Sequence, residues 1–95
     1  MLRNFLVTNI LFEKDKISNS LVVTGEITNK TGKDYSAVVF RVIVFIREKP
    51  MGHTMMTLNG FSNGETKMFA KLVREVDFRK ITQSARCEII AESAY

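Results

Sequence analysis

Residues 21–65 read LVVTGEITNKTGKDYSAVVFRVIVFIREKPMGHTMMTLNGFSNGE. Apolar residues alternate there with polar ones, and glycine-bearing turns interrupt the apolar runs at Gly32, Gly52, Gly60 and Gly64. Alternation with a period of two, punctuated by turns, is typical of consecutive antiparallel strands. This stretch therefore predicts an all-β fold.

Length and composition indicate one small domain. The chain has 95 residues, of which 45% are hydrophobic and 25% charged, so enough apolar side chains are present for a core. There is one proline and no Ser/Gly/Pro-rich run, so the sequence contains no recognisable inter-domain linker. We expect a single domain over residues 1–95.

Six or seven short strands are predicted, which favours a sandwich of two antiparallel sheets. The clearest are Phe5–Phe12, residues 21–28, Tyr35–Ile46, His53–Leu58, Thr66–Arg74 and residues 87–92. The longest, Tyr35–Ile46, should be central. Both faces of the first strand are apolar, so the inward face of that strand stays open. Asp77 is expected to cap a short helical turn within residues 77–84.

Proline and glycine mark the predicted turns. Residues 47–52 should close a hairpin, because Pro50 cannot donate to a ladder and Gly52 frees the backbone. Residues 58–65 contain two Asn-Gly pairs suited to positive φ and predict a double turn.

The register of this hairpin follows from its faces, because opposed residues of antiparallel strands share a face. Placing Val42 opposite Met56 gives a continuous apolar inner face, and the same register places Ile43 opposite Met55 on the outer face. A slip by one residue mixes the faces, whereas a slip by two passes the same test.

The central residues resemble a known family. Residues 23–29, VTGEITN, resemble the glycine- and asparagine-bearing strand of small bacterial and archaeal immunoglobulin-like domains of the FxLYD type. Residues 40–45 resemble that family's central strand, and residues 58–69, with Gly64-Glu65-Thr66 and Phe69, resemble its following stretch. The resemblance implies an immunoglobulin-like antiparallel β-sandwich that has no catalytic residues and is often attached to secreted proteins or lipoproteins.

The same resemblance bears on the strand Thr66–Arg74, whose alternation is ambiguous. One of its faces carries Met68, Ala70 and Leu72, and the other carries Phe69 and Val73. The resemblance implies that Phe69 faces inward, and we adopt that facing as an expectation.

An enzyme is not expected. His53 is the single histidine, and the chain has no nucleophile elbow, zinc-protease motif, phosphate-binding loop or dinucleotide glycine motif. We expect no cofactor. Cys87 is the single cysteine, so no intrachain disulfide can form, and its alternation with Ile89 and Ala91 indicates a buried, unreactive thiol.

Soft-metal binding is the alternative chemical hypothesis. Met51, His53 and Met55 fall on one side of a strand by period two, and this sulfur and nitrogen set would suit Cu(I). Methionine is also a routine filler of apolar surface, which explains the same positions without a metal.

The outer face of the central hairpin is the principal candidate site. The residues that we expect to form a contact surface there are Val39, Arg41, Ile43, Phe45, His53 and Met55. A contiguous apolar patch rimmed by polar groups often marks an interface, and aromatic, methionine and arginine residues are enriched in interfaces. Ordinary β-propensity, or cover by the terminal segment Ala91–Tyr95, would explain the apolar residues equally. The expected partner is an unidentified protein or a second copy of the chain, which makes a homodimer possible.

The net charge of the chain excludes few classes of partner. Fourteen Lys and Arg against ten Asp and Glu give a net charge of +4, but the two signs are interspersed, so nucleic acid is not an expected partner. No apolar run is long enough to span a membrane. The chain as given predicts a cytoplasmic protein, and an exported protein whose leader had been removed would look the same.

Overall fold

The computed structural model describes residues 4–95, and residues 1–3 of the predicted domain lie outside the described residues. The strands in the described part are β1 (Phe5–Lys14), β2 (Ser20–Asn29), β3 (Tyr35–Ile46), β4 (Lys49–Phe61), β5 (Thr66–Asp77) and β6 (Ala85–Ala94). They form two three-stranded antiparallel sheets, sheet 1 with the order β1-β2-β5 and sheet 2 with the order β4-β3-β6. The predicted all-β fold with two antiparallel sheets is confirmed. None of residues 4–95 belongs to a helix long and apolar enough to cross a membrane.

The two central strands, β2 and β3, supply most of the core. Their fully buried apolar residues are Leu21, Val23, Ile27, Val38, Phe40, Val42 and Val44. Each burial of an aliphatic side chain stabilises the fold by about 1.5–3 kcal/mol, whereas an exposed ion pair contributes about 0–1 kcal/mol. The alternation read from both strands is confirmed, and β3 has the predicted bounds and the predicted central place in sheet 2.

The β3–β4 register differs from the favoured one by two residues. Val42 lies opposite Thr54, and Ile43 lies opposite His53. Since two residues is a whole side-chain period, the inner and outer faces are unchanged, and only the partner of each residue moves. The favoured register is therefore wrong, and the alternative that the alternation left open is the one observed.

The turn explains this shift, because it is shorter than predicted. Only Arg47 and Glu48 lie between the strands, and both have positive φ (52° and 64°), as in a tight two-residue hairpin turn. Pro50 and Gly52 lie within β4, next to an irregularity in the pairing with β3. Gly52 allows a close approach: a Cβ there would be 2.8 Å from Cγ2 of Val76, at the side where β4 passes β5.

The predicted double turn over residues 58–65 is also shorter. Gly60 has a positive φ of 62° but lies inside β4, which continues to Phe61. Gly64, with φ 84°, provides the turn between β4 and β5. Positive φ at both glycines agrees with the Asn-Gly signal, but only the second pair reverses the chain.

In β1 the inward face carries Phe5, Val7, Ile10 and Phe12, which pack against the core. The parity of the inward residues changes at Asn9, whose φ of 57° marks a bulge where the pairing with β2 shifts. Strict alternation does not hold across this strand, so its facing could not be read from period two.

β5 buries Phe69, Val73 and Val76 and leaves Met68 81% exposed, so the inward facing expected for Phe69 is confirmed. The predicted helical turn is a single 3-10 turn, Phe78–Lys80, capped by Asp77. The hydrogen bonds that Arg79 donates to the Asp77 carboxylate lower the pKa of Asp77 to about 2.

One end of the sandwich is held by the buried Asn29. Its side-chain amide donates to the carbonyls of Lys33 (2.8 Å) and Phe61 (3.1 Å). Its side-chain oxygen accepts from the backbone N–H (3.0 Å) and hydroxyl (2.7 Å) of Thr31. The backbone of Asn29 completes the junction, donating to Glu65 (2.9 Å) and accepting from Gly64 (2.7 Å). All the polar groups of this buried residue are therefore satisfied.

Replacing Asn29 by alanine should lower the free energy of unfolding by about 1–3 kcal/mol, because it leaves buried carbonyls and an amide without partners. Chemical denaturation measures the loss. Asn63→Ala is the matched control: Asn63 accepts from Gly32 at 3.0 Å in an exposed setting, so its loss should cost less than about 1 kcal/mol. Equal costs for the two variants would contradict the bridging role of Asn29.

Gly25→Ala should destabilise the fold by about 1–3 kcal/mol through overpacking. A Cβ at position 25 would lie 2.7 Å from Cδ1 of Ile10 and 3.0 Å from Cε2 of Phe69. Removing that Cδ1 with Ile10→Val should make the same glycine substitution less costly, which a double-mutant cycle measures. Additive costs would show that the close contact does not matter.

Candidate interaction surface

The outer face of sheet 2 brings together all six candidate contact residues. Val39, Arg41, Ile43 and Phe45 lie on β3, and β4 places His53 opposite Ile43 and Met55 opposite Arg41. Their exposure is uneven: Met55 is 40% exposed, Arg41 and His53 are exposed, and the remaining three are half-buried. The face is thus less apolar at its surface than the strand pattern predicts, because β6 runs beside β3.

An arginine of β6 covers the aromatic member of this set. The guanidinium carbon of Arg86 lies 4.2 Å from the centroid of the Phe45 ring. Arg86 is held there by Glu48, 2.9 Å away, and by Glu88, 2.5 Å away. The hydrogen bonds from Arg86 hold the pKa of Glu48 below its ordinary value. The Phe45 ring is therefore covered by Arg86. This residue lies outside the segment Ala91–Tyr95, which was the alternative source of cover.

A groove of about 290 Å³ lies beside this covered ring. Its apolar lining comes from Ile43, Pro50 and Met51, and its polar lining comes from Arg41, His53 and Glu75. The Nε of Arg41 lies 2.6 Å from a carboxylate oxygen of Glu92, which orients the guanidinium at this edge of the groove. The pairing of β3 with β4 is irregular at Pro50 and Gly52, and both of these residues line the groove.

The groove also contains part of the proposed soft-metal set. Met51 and His53 both line it, whereas Met55 lies opposite Arg41 and is not part of the lining. The same lining holds the guanidinium of Arg41, which pairs with Glu92, and the carboxylate of Glu75, so its charge does not by itself favour or exclude a cation. Within residues 4–95, no three His, Cys, Asp or Glu side chains come together in a way that could hold a metal ion.

Cys87 lies on the inward side of β6, opposite Val44, and packs against the core. It is half-buried, so its burial is less complete than predicted. Burial, together with the negative charge of Glu88, raises the pKa of the Cys87 thiol to about 11. The thiol is therefore protonated at neutral pH, as expected for a weak nucleophile.

A second apolar surface, on the outer face of sheet 1, was not predicted. Leu11 is 60% exposed, Met68 is 81% exposed and Ile17, in the β1–β2 connection, is 94% exposed. Leu11 lies opposite Thr24 of β2, and Ala70 of β5 lies opposite the same threonine. The alternation of β5 already contained this information, because a strand with Phe69 on its inward face must carry Met68 and Ala70 on its outward face.

Comparison of the chain with protein-family models, with curated proteins and with solved structures finds no match. The geometry of the two sheets and of the groove is therefore the basis for any functional proposal.

Alkylation of Cys87 should be slow at pH 7 and accelerate as the pH rises toward about 11, because only the thiolate reacts. The folded state favours the protonated thiol. The contribution of Cys87 to the stability should therefore be constant below pH 8 and decline above the pKa of the unfolded thiol, about 8.5. The measurement is the iodoacetamide rate against pH, with the denatured chain as control. A folded-state rate at pH 7 equal to the denatured rate would contradict the raised pKa.

Proposed function

We propose that this domain is a non-enzymatic immunoglobulin-like module that binds a protein through the groove on the outer face of the β3–β4 hairpin. The observation that carries the proposal is the groove itself, in which three apolar side chains meet a cation, an imidazole and a carboxylate. An apolar centre with a polar rim is the usual composition of a protein interface.

The size of the groove favours a side chain of a partner over a small organic ligand. Sites for drug-sized molecules enclose about 300–1,000 Å³ and bury most of the ligand. The groove, at about 290 Å³, lies just below that range, and its lining includes the exposed side chain of Met51. Methionine adapts its shape to different apolar partners, which suits a contact surface.

The immunoglobulin-like assignment is supported by the structural roles of the residues that carry the resemblance. Gly25 leaves room for Ile10 and Phe69 between the sheets, and Asn29 joins two loops at one end. Both roles are needed by a two-sheet sandwich of this kind, whatever the chain binds. Gly25 and Asn29 therefore account for the fold, whereas Arg41 and Ile43, which also belong to the resembling residues, line the groove.

Introducing a negative charge at the groove tests the proposed function. Met51→Asp and Ile43→Asp should each weaken binding of the partner by about tenfold or more, because a buried carboxylate replaces an apolar contact. The partner is first isolated with the wild-type domain on a column, and its affinity for each variant is then measured by calorimetry. Met51 is exposed, so Met51→Asp should leave the fold intact, which a thermal melt checks.

Thr57→Asp is the matched control. It adds the same charge on the same sheet face, opposite Val39 and outside the groove lining. Its affinity for the partner should equal that of the wild type. Retained binding by both groove variants, or equal loss in the control, would overturn the groove as the contact site.

A further inference from the structure

Four strands border the two sheets, and a bare border strand is a template for pairing with another chain. The border strands are β1 and β5 in sheet 1 and β4 and β6 in sheet 2. Proteins block such edges with bulges, with proline, with charged side chains that point inward, or by covering them.

Three of these edges carry a recognisable block. β1 has the bulge at Asn9. β4 contains Pro50, and its His53 N–H is covered by the Glu75 carboxylate at 3.4 Å. β5 places Lys71 on its inward side, opposite the buried Val23. Pairing of another strand with any of these edges would have to displace or accommodate the block.

In the part of the chain that the structure describes, β6 has one such feature, an irregularity at Glu92 where its pairing with β3 shifts, and residues 85–91 before it have none. Residues 85–91, ARCEIIA, pair with β3 in one uninterrupted register, without proline or lysine. The inward side of this segment carries Cys87, Ile89 and Ala91, which are all apolar or weakly polar. A regular segment with two adjacent β-branched residues, Ile89 and Ile90, is suited to accept another strand.

We infer that β6 pairs antiparallel with β6 of a second copy of the chain, about a two-fold axis at Ile89. The two copies of sheet 2 then form one continuous six-stranded sheet. In this register Ile89 faces its own copy, and Cys87 faces Ala91 of the second copy, so inward residues meet inward residues as the pleat requires.

Charge complementarity favours a second copy and this register, although Arg86 already pairs with Glu48 and Glu88, and Glu92, at the irregularity of β6, already pairs with Arg41. With the axis at Ile89, Arg86 lies opposite Glu92 of the second copy, and the symmetry makes this pair twice. Both side chains lie on the outer face, since Arg86 covers Phe45 and Glu92 contacts Arg41. Moving the axis by one residue either way places Glu88 opposite Glu88 or opposite Glu92, and like charges directly opposed are destabilising.

The assembled sheet presents both grooves on one face. Because the axis is perpendicular to the sheet, the outer faces of the two copies point the same way. The two β3 strands are then separated by three strand spacings, about 14 Å. A partner with two suitable segments could occupy both grooves at once, although the pairing of β6 does not depend on the groove having a partner.

A cross-link at the axis tests the inference directly. The variant Ile89→Cys in a Cys87→Ser background should form a disulfide-linked dimer under mild oxidation, because opposed Cα atoms in an antiparallel pair are about 4.5–5.5 Å apart. Met55→Cys in the same background, on the exposed side of β4, is the control and should give little dimer.

Sedimentation equilibrium supplies the second measurement. The wild type should dimerise reversibly below about 1 mM. Ile89→Lys should raise the dissociation constant about tenfold or more, because an inward-pointing lysine, such as Lys71 of β5, opposes strand pairing. Met68→Lys, on the outer face of sheet 1, should leave the constant unchanged, as should Met51→Asp in the groove. If Ile89→Lys does not fold, the cross-link decides alone.

Two results would overturn the inference. One is a wild type that stays monomeric at about 1 mM together with no disulfide through position 89. The other is efficient cross-linking of the wild type through native Cys87, which would place the axis at residue 87 and remove the pairing of Arg86 with Glu92.

Discussion

The amide of Asn29 is the interaction on which the two-sheet arrangement depends. The chain crosses from sheet 1 to sheet 2 after β2 and returns to sheet 1 after β4, and both crossings lie at this end. The amide donates to the carbonyl of Lys33, in the first crossing, and to that of Phe61, the last residue of β4 before the second crossing. A buried amide without partners is costly, so each of the two crossings stabilises the other.

Between the sheets, the packing is close enough that the absence of a side chain matters. Gly25 leaves space for Ile10 and Phe69, and Gly52 leaves space for Val76 where the sheets approach at one side. The same approach places Glu75 of β5 beside β4, where it enters the groove lining. The candidate binding surface is therefore a product of sandwich closure, because one of its polar groups comes from the opposite sheet.

Much of the fold follows from local patterns. The bounds and the burial of β3, the inward residues of β2 and the cap at Asp77 depend on alternation and capping, which act within a few residues. The register of the hairpin and the facing of β1 do not follow from these patterns. A two-residue turn at residues 47–48 shifts the register by a whole period, and the bulge at Asn9 changes the parity of its strand; neither changes the apolar alternation nearby.

The candidate surface shows the same division. The amino-acid sequence by itself determined that Val39, Ile43 and Phe45 share one face of a central strand, since period-two geometry leaves no choice. Only the tertiary structure decided how exposed that face is, because the cover over Phe45 comes from Arg86, forty-one residues away along the chain. It also decided which strand edges are open. Contacts between distant segments depend on register and sheet order, and these are set by turn geometry and by the sum of long-range packing rather than by any local pattern.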